Sequence, residues 1–588
     1  MSRDDQPLDP HRSLEVDPQA FLERFAWHPE PELIGIRDAA VSRPALERLG
    51  AAAWSTALDY LFDEALRRAM GEPAGYRDLR RRFFGPGAEP GPAPSLPTPS
   101  EELLDEFARR LAPHMLNAWH PRTLSYFTPP PLVVSIVGEL LAQWTNQGID
   151  VWHAGPSGAF VEEEVIRWLC DLVGYGAPAG AEAAGPDAGG DGPGRTGGAE
   201  AGQPFGLLTS GGVMANFLAM TLVRDVQLAR LRGATRPPRG RELEGARVYT
   251  SDQAHFSIAR ALDELGFPPE TLVVLPSDDR FRLHAEPVAE AVRRDRAAGL
   301  TPVAIAAVAG STNTGSVDLV GELADLAARE QLWLHVDAAY GGGARLSPRT
   351  APLVPDLERA DSVTVDPHKW FFQAYDIGAL LVRRRRHLLD TFHRQPEYYR
   401  GPAASAGAET PGAGTEAART DGPLNFYQYG MEGTRRWRAL KLWLSWKHLG
   451  SEGLGRLIEA NVDLARHLAR RCAEADDFEA LPAEPDLSVV CFRHLPGGGT
   501  SATSNGHEPS GDPGAWAGGN DPLHEQAIDR HQERLQAALE ASGEGWLSTT
   551  TLRGRTYLRA GIVNYLATEA DVDRLLNELR HLASGLDR

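Results

Sequence analysis

Cysteine is nearly absent. Cys170, Cys472 and Cys491 are the only three in 588 residues, and no two form a CxxC pair. So sparse and odd a set excludes a disulfide framework and a zinc knuckle, so the thiols read as small buried hydrophobes and no metal site is expected. Long apolar runs are missing too: no stretch of about 18 apolar residues occurs, so no membrane span is expected. The opening MSRDDQPLDPHRS is polar and lacks the apolar core of a signal peptide, which makes a cytoplasmic location the expectation. Positive charge is in deficit, with 60 Lys and Arg against 80 Asp and Glu and a formal charge of −20. A surface of that sign argues against nucleic acid and anionic membrane as partners, while a local basic pocket stays open.

Large apolar side chains are scarce in residues 177–204, 401–424 and 496–522, which are rich in Gly, Ala, Pro, Ser and Asp. Such segments cannot offset the entropy of ordering, so they read as disordered loops. A shorter Pro- and Gly-rich stretch near residue 90 reads as a link between an N-terminal helical segment and the main domain.

Elsewhere the chain is apolar enough for a full core, at 42% hydrophobic. VYTS (248–251), TLVVLP (271–276), VAIAAVAG (303–310), LWLHVD (332–337), SVTVD (362–366) and ALLVR (379–383) are short runs rich in β-branched residues. Buried parallel strands read this way. Between them, Val320, Leu323, Leu326 and Ala327 fall on one helical face. The alternation predicts an α/β domain with a mostly parallel sheet flanked by helices. Residues 434–448 predict an amphipathic helix with Trp437, Leu440 and Leu444 on one face. LSVVCFR (487–493) and TYLRAGIV (556–563) read as strands of a small C-terminal α+β domain. Its last helix opens with a Thr568/Asp571 capping box, is lined by Leu575, Leu576, Leu579 and Leu582, and stops at Gly585. The division expected is 1–115, 116–450 and 451–588.

Three short segments carry the chemistry. Thr209-Ser210-Gly211-Gly212 lies between the apolar FGLL and a helical run, where backbone N–H groups and the helix dipole favour a phosphate. Asp337 ends LWLHVD, and ligands of open α/β sheets bind beyond the carboxyl ends of strands. Lys369 follows another strand, in Asp366-Pro367-His368-Lys369-Trp370, where desolvation could lower its pKa and free the amine for a carbonyl. Singly, each has a plainer reading: a turn, a cap, a surface lysine lying along an aromatic. Together they supply an anion cradle, a carboxylate and an amine, which are the needs of pyridoxal phosphate.

HVDAAYGG, DPHKW and TSGG, at this spacing, resemble the group II pyridoxal-phosphate decarboxylases, the family of aromatic-L-amino-acid, glutamate and diaminobutyrate decarboxylases. The resemblance runs from about His120 to Lys447 and more weakly to residue ~580. It implies a fold-type I enzyme with a seven-stranded sheet, and residue roles to match. Lys369 resembles the Schiff-base lysine, Asp337 the partner of the ring nitrogen, and His255 the histidine stacked on the ring. Thr312 would lie by the ring's hydroxyl edge and Asp337, and Ala339 on the face opposite His255. Ser210, Gly211, Gly212 and His368 would hold the phosphate. Gly433 and Thr434 resemble the segment that reaches a partner subunit's phosphate, which implies a homodimer with shared active sites. Tyr398, with Tyr399 as a rival, resembles the loop tyrosine that returns a proton to the substrate carbon.

Two departures from the family stand out. Val213 replaces a hydroxyl residue after the glycines, and Asp366 stands where many relatives have Asn, so Asp366 is expected to turn away from the phosphate or to accept backbone N–H groups. Tyr126, Phe127 and Thr128 resemble the lining of the substrate pocket, which suits an aromatic amino acid. The alternatives are a diaminobutyrate- or glutamate-type decarboxylase, an aldehyde synthase on the same scaffold, and a protein that binds the cofactor without turnover.

Overall fold

The computed structural model of the chain describes residues 22–36, 39–63, 68–72, 75–176, 203–394, 423–496 and 522–586. The low-complexity stretches at 177–204, 401–424 and 496–522 fall almost wholly outside the described residues, and so do Tyr398 and Tyr399. The chain divides into two units, one made of residues 1–123 with 539–546 and the other of the remainder.

The first unit carries the helix α1 (Ala39–Phe62). Its Tyr60 hydroxyl donates to the Leu116 carbonyl at 2.9 Å. Arg122 pairs with Glu544 at 2.6 Å, tying the distant 539–546 piece to the same unit. The Pro- and Gly-rich stretch before Ser100 lies inside this unit rather than at its edge.

The second unit is built on a seven-stranded sheet of β1 (Phe205–Thr209), β2 (Ala246–Ser251), β3 (Leu272–Leu275), β4 (Thr301–Val308), β5 (Trp333–Asp337), β6 (Ser362–Val365) and β7 (Gly378–Val382). The order is β1-β7-β6-β5-β4-β2-β3. β3, β2, β4, β5 and β6 pair in parallel. β4 through β7 are almost entirely buried, which is why they read as unbroken apolar runs rather than alternating ones. ALLVR departs from the parallel expectation, because β7 runs antiparallel to both β6 and β1. The link from β6 to β7 holds no crossover helix, and without one the chain returns in the opposite sense.

Helices pack on the sheet and on one another, among them α2 (Val133–Thr145), α3 (Pro156–Leu172), α4 (Gly212–Leu222), α5 (Ser257–Glu264), α6 (Ala285–Ala297) and α7 (Val320–Glu330). Val320, Leu323, Leu326 and Ala327 of α7 are all buried, as their spacing requires. The helix expected from 434 begins only at Ala439, as α8 (Ala439–Ala473), and it kinks at Gly450. Residues before it are claimed by other partners. Arg436 bridges Gly148 in extended pairing, and the Arg435 carbonyl accepts the Ile149 N–H at 2.8 Å. The Arg435 guanidinium is buried against Glu162 and donates to the Leu208 carbonyl at 2.9 Å. A buried, paired guanidinium outweighs a turn of helix propensity.

A second, antiparallel sheet of β8 (Phe478–Ala480), β9 (Val489–His494), β10 (Ser548–Leu552) and β11 (Arg555–Gly561) has the order β10-β11-β9-β8. Helices α9 (Pro522–Ser542) and α10 (Glu569–Leu586) come after β9 and β11 in the chain. Thr568 and Asp571 form the expected capping box, with reciprocal bonds of 3.1 and 3.3 Å. Gly585 does not stop α10, which runs through it to Leu586. The three cysteines are free and buried, as their scarcity suggested. Among the described residues no helix is long and apolar enough to cross a membrane.

Candidate active site

The strand register gathers the sequence-derived candidates at one edge of the large sheet. Val308 pairs with Asp337, Asp337 with Thr364, Val365 with Ala379, and Thr209 with Gly378. The ends of β1, β4, β5 and β6 and the start of β7 therefore lie side by side. Ser210–Gly212, Thr312, Asp337, Ala339 and Asp366–Lys369 all leave the sheet there.

Lys369 is anchored by the three aromatic residues next to it in the chain. Trp370, Phe371 and Phe372 are at most 1% exposed, each worth about 1.5–3 kcal/mol of burial. The Trp370 indole donates to Asn461 at 3.0 Å and stacks on Tyr340 at 4.7 Å between centroids. The lysine itself points back to the edge, with Nζ 3.0 Å from Asp366 Oδ2. Burial alone would lower its pKa, but the Asp366 and Asp337 carboxylates outweigh burial and raise it. The amine is therefore a cation in this state, and the expectation of a lowered pKa is overturned.

Asp366 does not turn away. A Cβ on Gly212 would lie 2.8 Å from its Oδ2, and one on Gly378 2.6 Å from its Oδ1. Its backbone N–H donates to the Ala339 carbonyl at 3.0 Å. The reason is electrostatic: the carboxylate stays against the glycine turn because the Lys369 ammonium neutralises it there. Its Oδ1 is buried with no hydrogen-bond partner among the described residues.

Asp337 accepts the Ala339 N–H at 3.1 Å on one oxygen and an Asn216 N–H at 2.7 Å on the other. His255 stands 2.8 Å from Ser257 Oγ, and burial lowers its pKa more than the nearby Asp337 raises it. His368 donates Nδ1–H to the Ile377 carbonyl at 2.6 Å, and burial lowers its pKa too, so both rings are neutral near pH 7. A Cβ on Gly211 would lie 3.2 Å from the His368 ring. Ser210 and Val213 are exposed beside the start of α4. Thr312 is exposed in the loop after β4, its carbonyl accepting Arg559 Nε at 2.8 Å.

Phe127 is buried, stacked on Tyr340 at 4.1 Å, with Lys369 Nζ 5.9 Å from its centroid. Tyr126 is exposed with a φ of 53°, and Thr128 Oγ1 meets the Tyr375 hydroxyl at 3.1 Å. Gly433 and Thr434 lie in the loop before α8 and are not brought to the Lys369 group.

Two polar residues at the site escaped sequence reasoning. Asn216 is 1% exposed on α4. The Arg559 guanidinium is buried, 4.9 Å from the Phe127 centroid, and its Nη2 has no partner among the described residues. The signal was the same in both: one polar residue inside an otherwise apolar run, VMANFL and TYLRAGIV.

His335, also buried, has its pKa pushed down to about 4 by burial. Its folded pKa lies below the unfolded value of about 6.5, so the unfolded chain binds more protons between those two pH values. Stability is thus full above pH ~6.5 and falls as pH drops towards 4, by roughly 3 kcal/mol from this group. Melting of wild type and His335→Gln at pH 7.5 and pH 5 checks this: the variant is expected to lose less on acidification.

The chain is similar to known proteins over most of its length. Residues 88–495 match the pyridoxal-dependent decarboxylase conserved domain. Aromatic-L-amino-acid decarboxylase of Bacillus atrophaeus is 31% identical over 484 residues, 82% of this chain and 85% of that one. L-2,4-diaminobutyrate decarboxylase of Rhizobium meliloti (strain 1021) is 29% identical over 498 residues, 84% of each. The crystal structure of Oryza sativa TDC with PLP and tryptamine superposes with a TM-score of 0.75 at 23% identity, covering 92% of this chain and 98% of that one. The architecture is thus that of a fold-type I pyridoxal-phosphate enzyme. The chain belongs to the pyridoxal-dependent decarboxylase family, and its activity is that of a carboxy-lyase acting on an amino acid.

The residues at the sheet edge fit pyridoxal phosphate. A half-buried amine, a buried carboxylate anchored on two N–H donors and a glycine turn opening α4 match its aldehyde, ring nitrogen and phosphate in turn.

Proposed function

We propose that this enzyme decarboxylates an aromatic L-amino acid to its amine. The observation that carries the reading is the Lys369 ammonium, paired with Asp366 and within the field of Asp337. When bound, pyridoxal phosphate supplies the electron sink that lets CO2 leave the substrate carbon. In this reading Asp366 Oδ2 takes the proton from Lys369 Nζ and frees the amine for the cofactor's carbonyl. Asp337 would keep the ring nitrogen protonated, and His255 and Ala339 would hold the ring between them. Ser210 would complete the phosphate cradle with the neutral His368 ring packed beside it, and Thr312 would lie at the hydroxyl edge.

Phe127, Tyr126 and Tyr375 give the site an apolar, aromatic wall, which favours an aromatic side chain over a charged one. Arg559, a buried cation with one N–H pair unused, suits the substrate carboxylate. Tyr398 is assigned the return of the proton to the substrate carbon, a role worth about 10²–10⁴ in rate. Tyr398→Phe is expected to cut amine formation by about that factor with cofactor binding unchanged; unaltered amine output moves the role to Tyr399.

The protein acts as a cytoplasmic homodimer in this reading. Helix α2 leaves Val133, Ile136, Val137, Leu140, Leu141 and Trp144 exposed along one side, an apolar face suited to a second copy. Gly433 and Thr434 are assigned to that copy's phosphate in the same reading.

The test is an amine-product screen of purified enzyme against the common amino acids, with peroxide and ammonia measured in parallel. Amine from tyrosine, dopa or tryptophan without peroxide is expected. Peroxide in step with CO2 marks an aldehyde synthase, and amine from diaminobutyrate or glutamate alone overturns the aromatic assignment.

A further inference from the structure

Asn216 sits one turn into α4, buried, and every hydrogen-bonding position of its amide is used. Oδ1 accepts Thr364 Oγ1 at 2.7 Å and faces His335 Nε2 at 3.0 Å. Nδ2 donates to Asp337 Oδ2 at 2.7 Å and to Ser257 Oγ at 2.8 Å. The amide cannot be turned over, since that would set its oxygen against the Asp337 carboxylate and leave two acceptors facing each other.

This fixes every proton around it. A carbonyl oxygen only accepts, so His335 carries its proton on Nε2. His335 Nδ1, 2.9 Å from Ser362 Oγ, then accepts the serine proton, and Ser362 Oγ accepts the Trp333 indole N–H at 2.9 Å. On the far side, Ser257 Oγ accepts from Asn216 and so gives its own proton to His255 Nδ1 at 2.8 Å. The Ser257 backbone N–H points at the same nitrogen from 3.3 Å. His255 is thereby held with its proton on Nε2.

We propose that Asn216 is a positioning residue of the cofactor site. Its amide is the branch point of a one-way hydrogen-bond chain that fixes both the Asp337 carboxylate and the tautomer of the His255 ring. The inference rests on the assignment of Asp337 and His255 to the cofactor ring. One amide sets the two groups that meet the ring at its nitrogen and on its face, so a change at Asn216 alters the cofactor's electronic state without touching the cofactor. Thr364 also bonds Asn216 but lies on neither branch, and Thr364→Val serves as the control.

The test uses purified holoenzyme and reads the dissociation constant and absorption spectrum of bound pyridoxal phosphate. Asn216→Leu keeps the volume and removes both branches. It is expected to weaken cofactor binding at least tenfold and to shift the absorption maximum, while Thr364→Val stays near wild type. Asn216→Asp keeps the shape but sets two carboxyl groups 2.7 Å apart, so they must share a proton. It is expected to move the pH midpoint of the cofactor's absorbance by a unit or more, and it decides the matter if Asn216→Leu fails to fold. Wild-type affinity and spectrum in either folded Asn216 variant overturn the proposal. A bound cofactor whose affinity and spectrum are unaffected by Asp337→Asn overturns instead the ring assignment on which it rests.

Discussion

Lys369→Ala is expected to leave a folded protein with no measurable decarboxylation and no absorbance from covalently held cofactor. A positioned amine contributes an effective molarity of roughly 10⁵ M or more, which a solution amine cannot replace. No other side chain can stand in. The chain has only three lysines, Lys369, Lys441 and Lys447. Lys441 is buried and committed to Glu139 at 2.6 Å and to the Asp376 carbonyl at 3.0 Å. Lys447 lies over the Trp443 ring, 3.9 Å from its centroid, on the exposed side of α8. The same substitution also leaves Asp366 buried against the glycine turn with no cation beside it. The phosphate end of the site should therefore weaken as well. Equilibrium dialysis with the cofactor measures that second loss independently of turnover.

Asp337→Asn should be almost as damaging. The shape is kept, and an amide can still accept the Ala339 N–H, so the fold is expected to survive. What disappears is the negative charge proposed to face the ring nitrogen. A hydrogen bond to a charged group is worth about 3 kcal/mol at the upper end, which converts to roughly a hundredfold in rate. The new amide's single oxygen cannot then also accept the Asn216 N–H, so its NH2 group opposes the Asn216 NH2 across 2.7 Å. The expected signature is a fall in kcat of about a hundredfold or more with KM little changed, measured on enzyme saturated with cofactor.

A smaller effect arises from packing at the cradle. A Cβ on Gly378 would stand 2.5 Å from Gly211 Cα and 2.6 Å from Asp366 Oδ1. Gly378→Ala must push β7 away from the glycine turn, at a cost of about 1–3 kcal/mol. A lowered melting temperature together with weaker cofactor binding is the expected pair.

The fold was legible where burial made the signal continuous. β4, β5 and β6 are covered on both faces, so composition alone marks them as buried strands. β8 and β10 are short or half-exposed and gave no such signal. The direction of β7 was not readable, because a buried strand carries the same residues whichever way it runs. The 434–438 segment misled for a different reason: its helical periodicity is real, but Arg435 is committed to Glu162 and Leu208, far away in sequence. The site divides in the same way. Lys369, Asp337, His255 and the glycine turn sit in contiguous motifs. Asn216 acts through residues 41, 121 and 148 positions away, and Arg559 through Thr312, 247 positions away, so neither announces itself locally.

Borohydride reduction of the holoenzyme and subsequent peptide mapping test the central claim most directly. A single pyridoxyl group on the peptide containing Lys369 is the result required. A label on Lys441 or Lys447, or none at all, contradicts it.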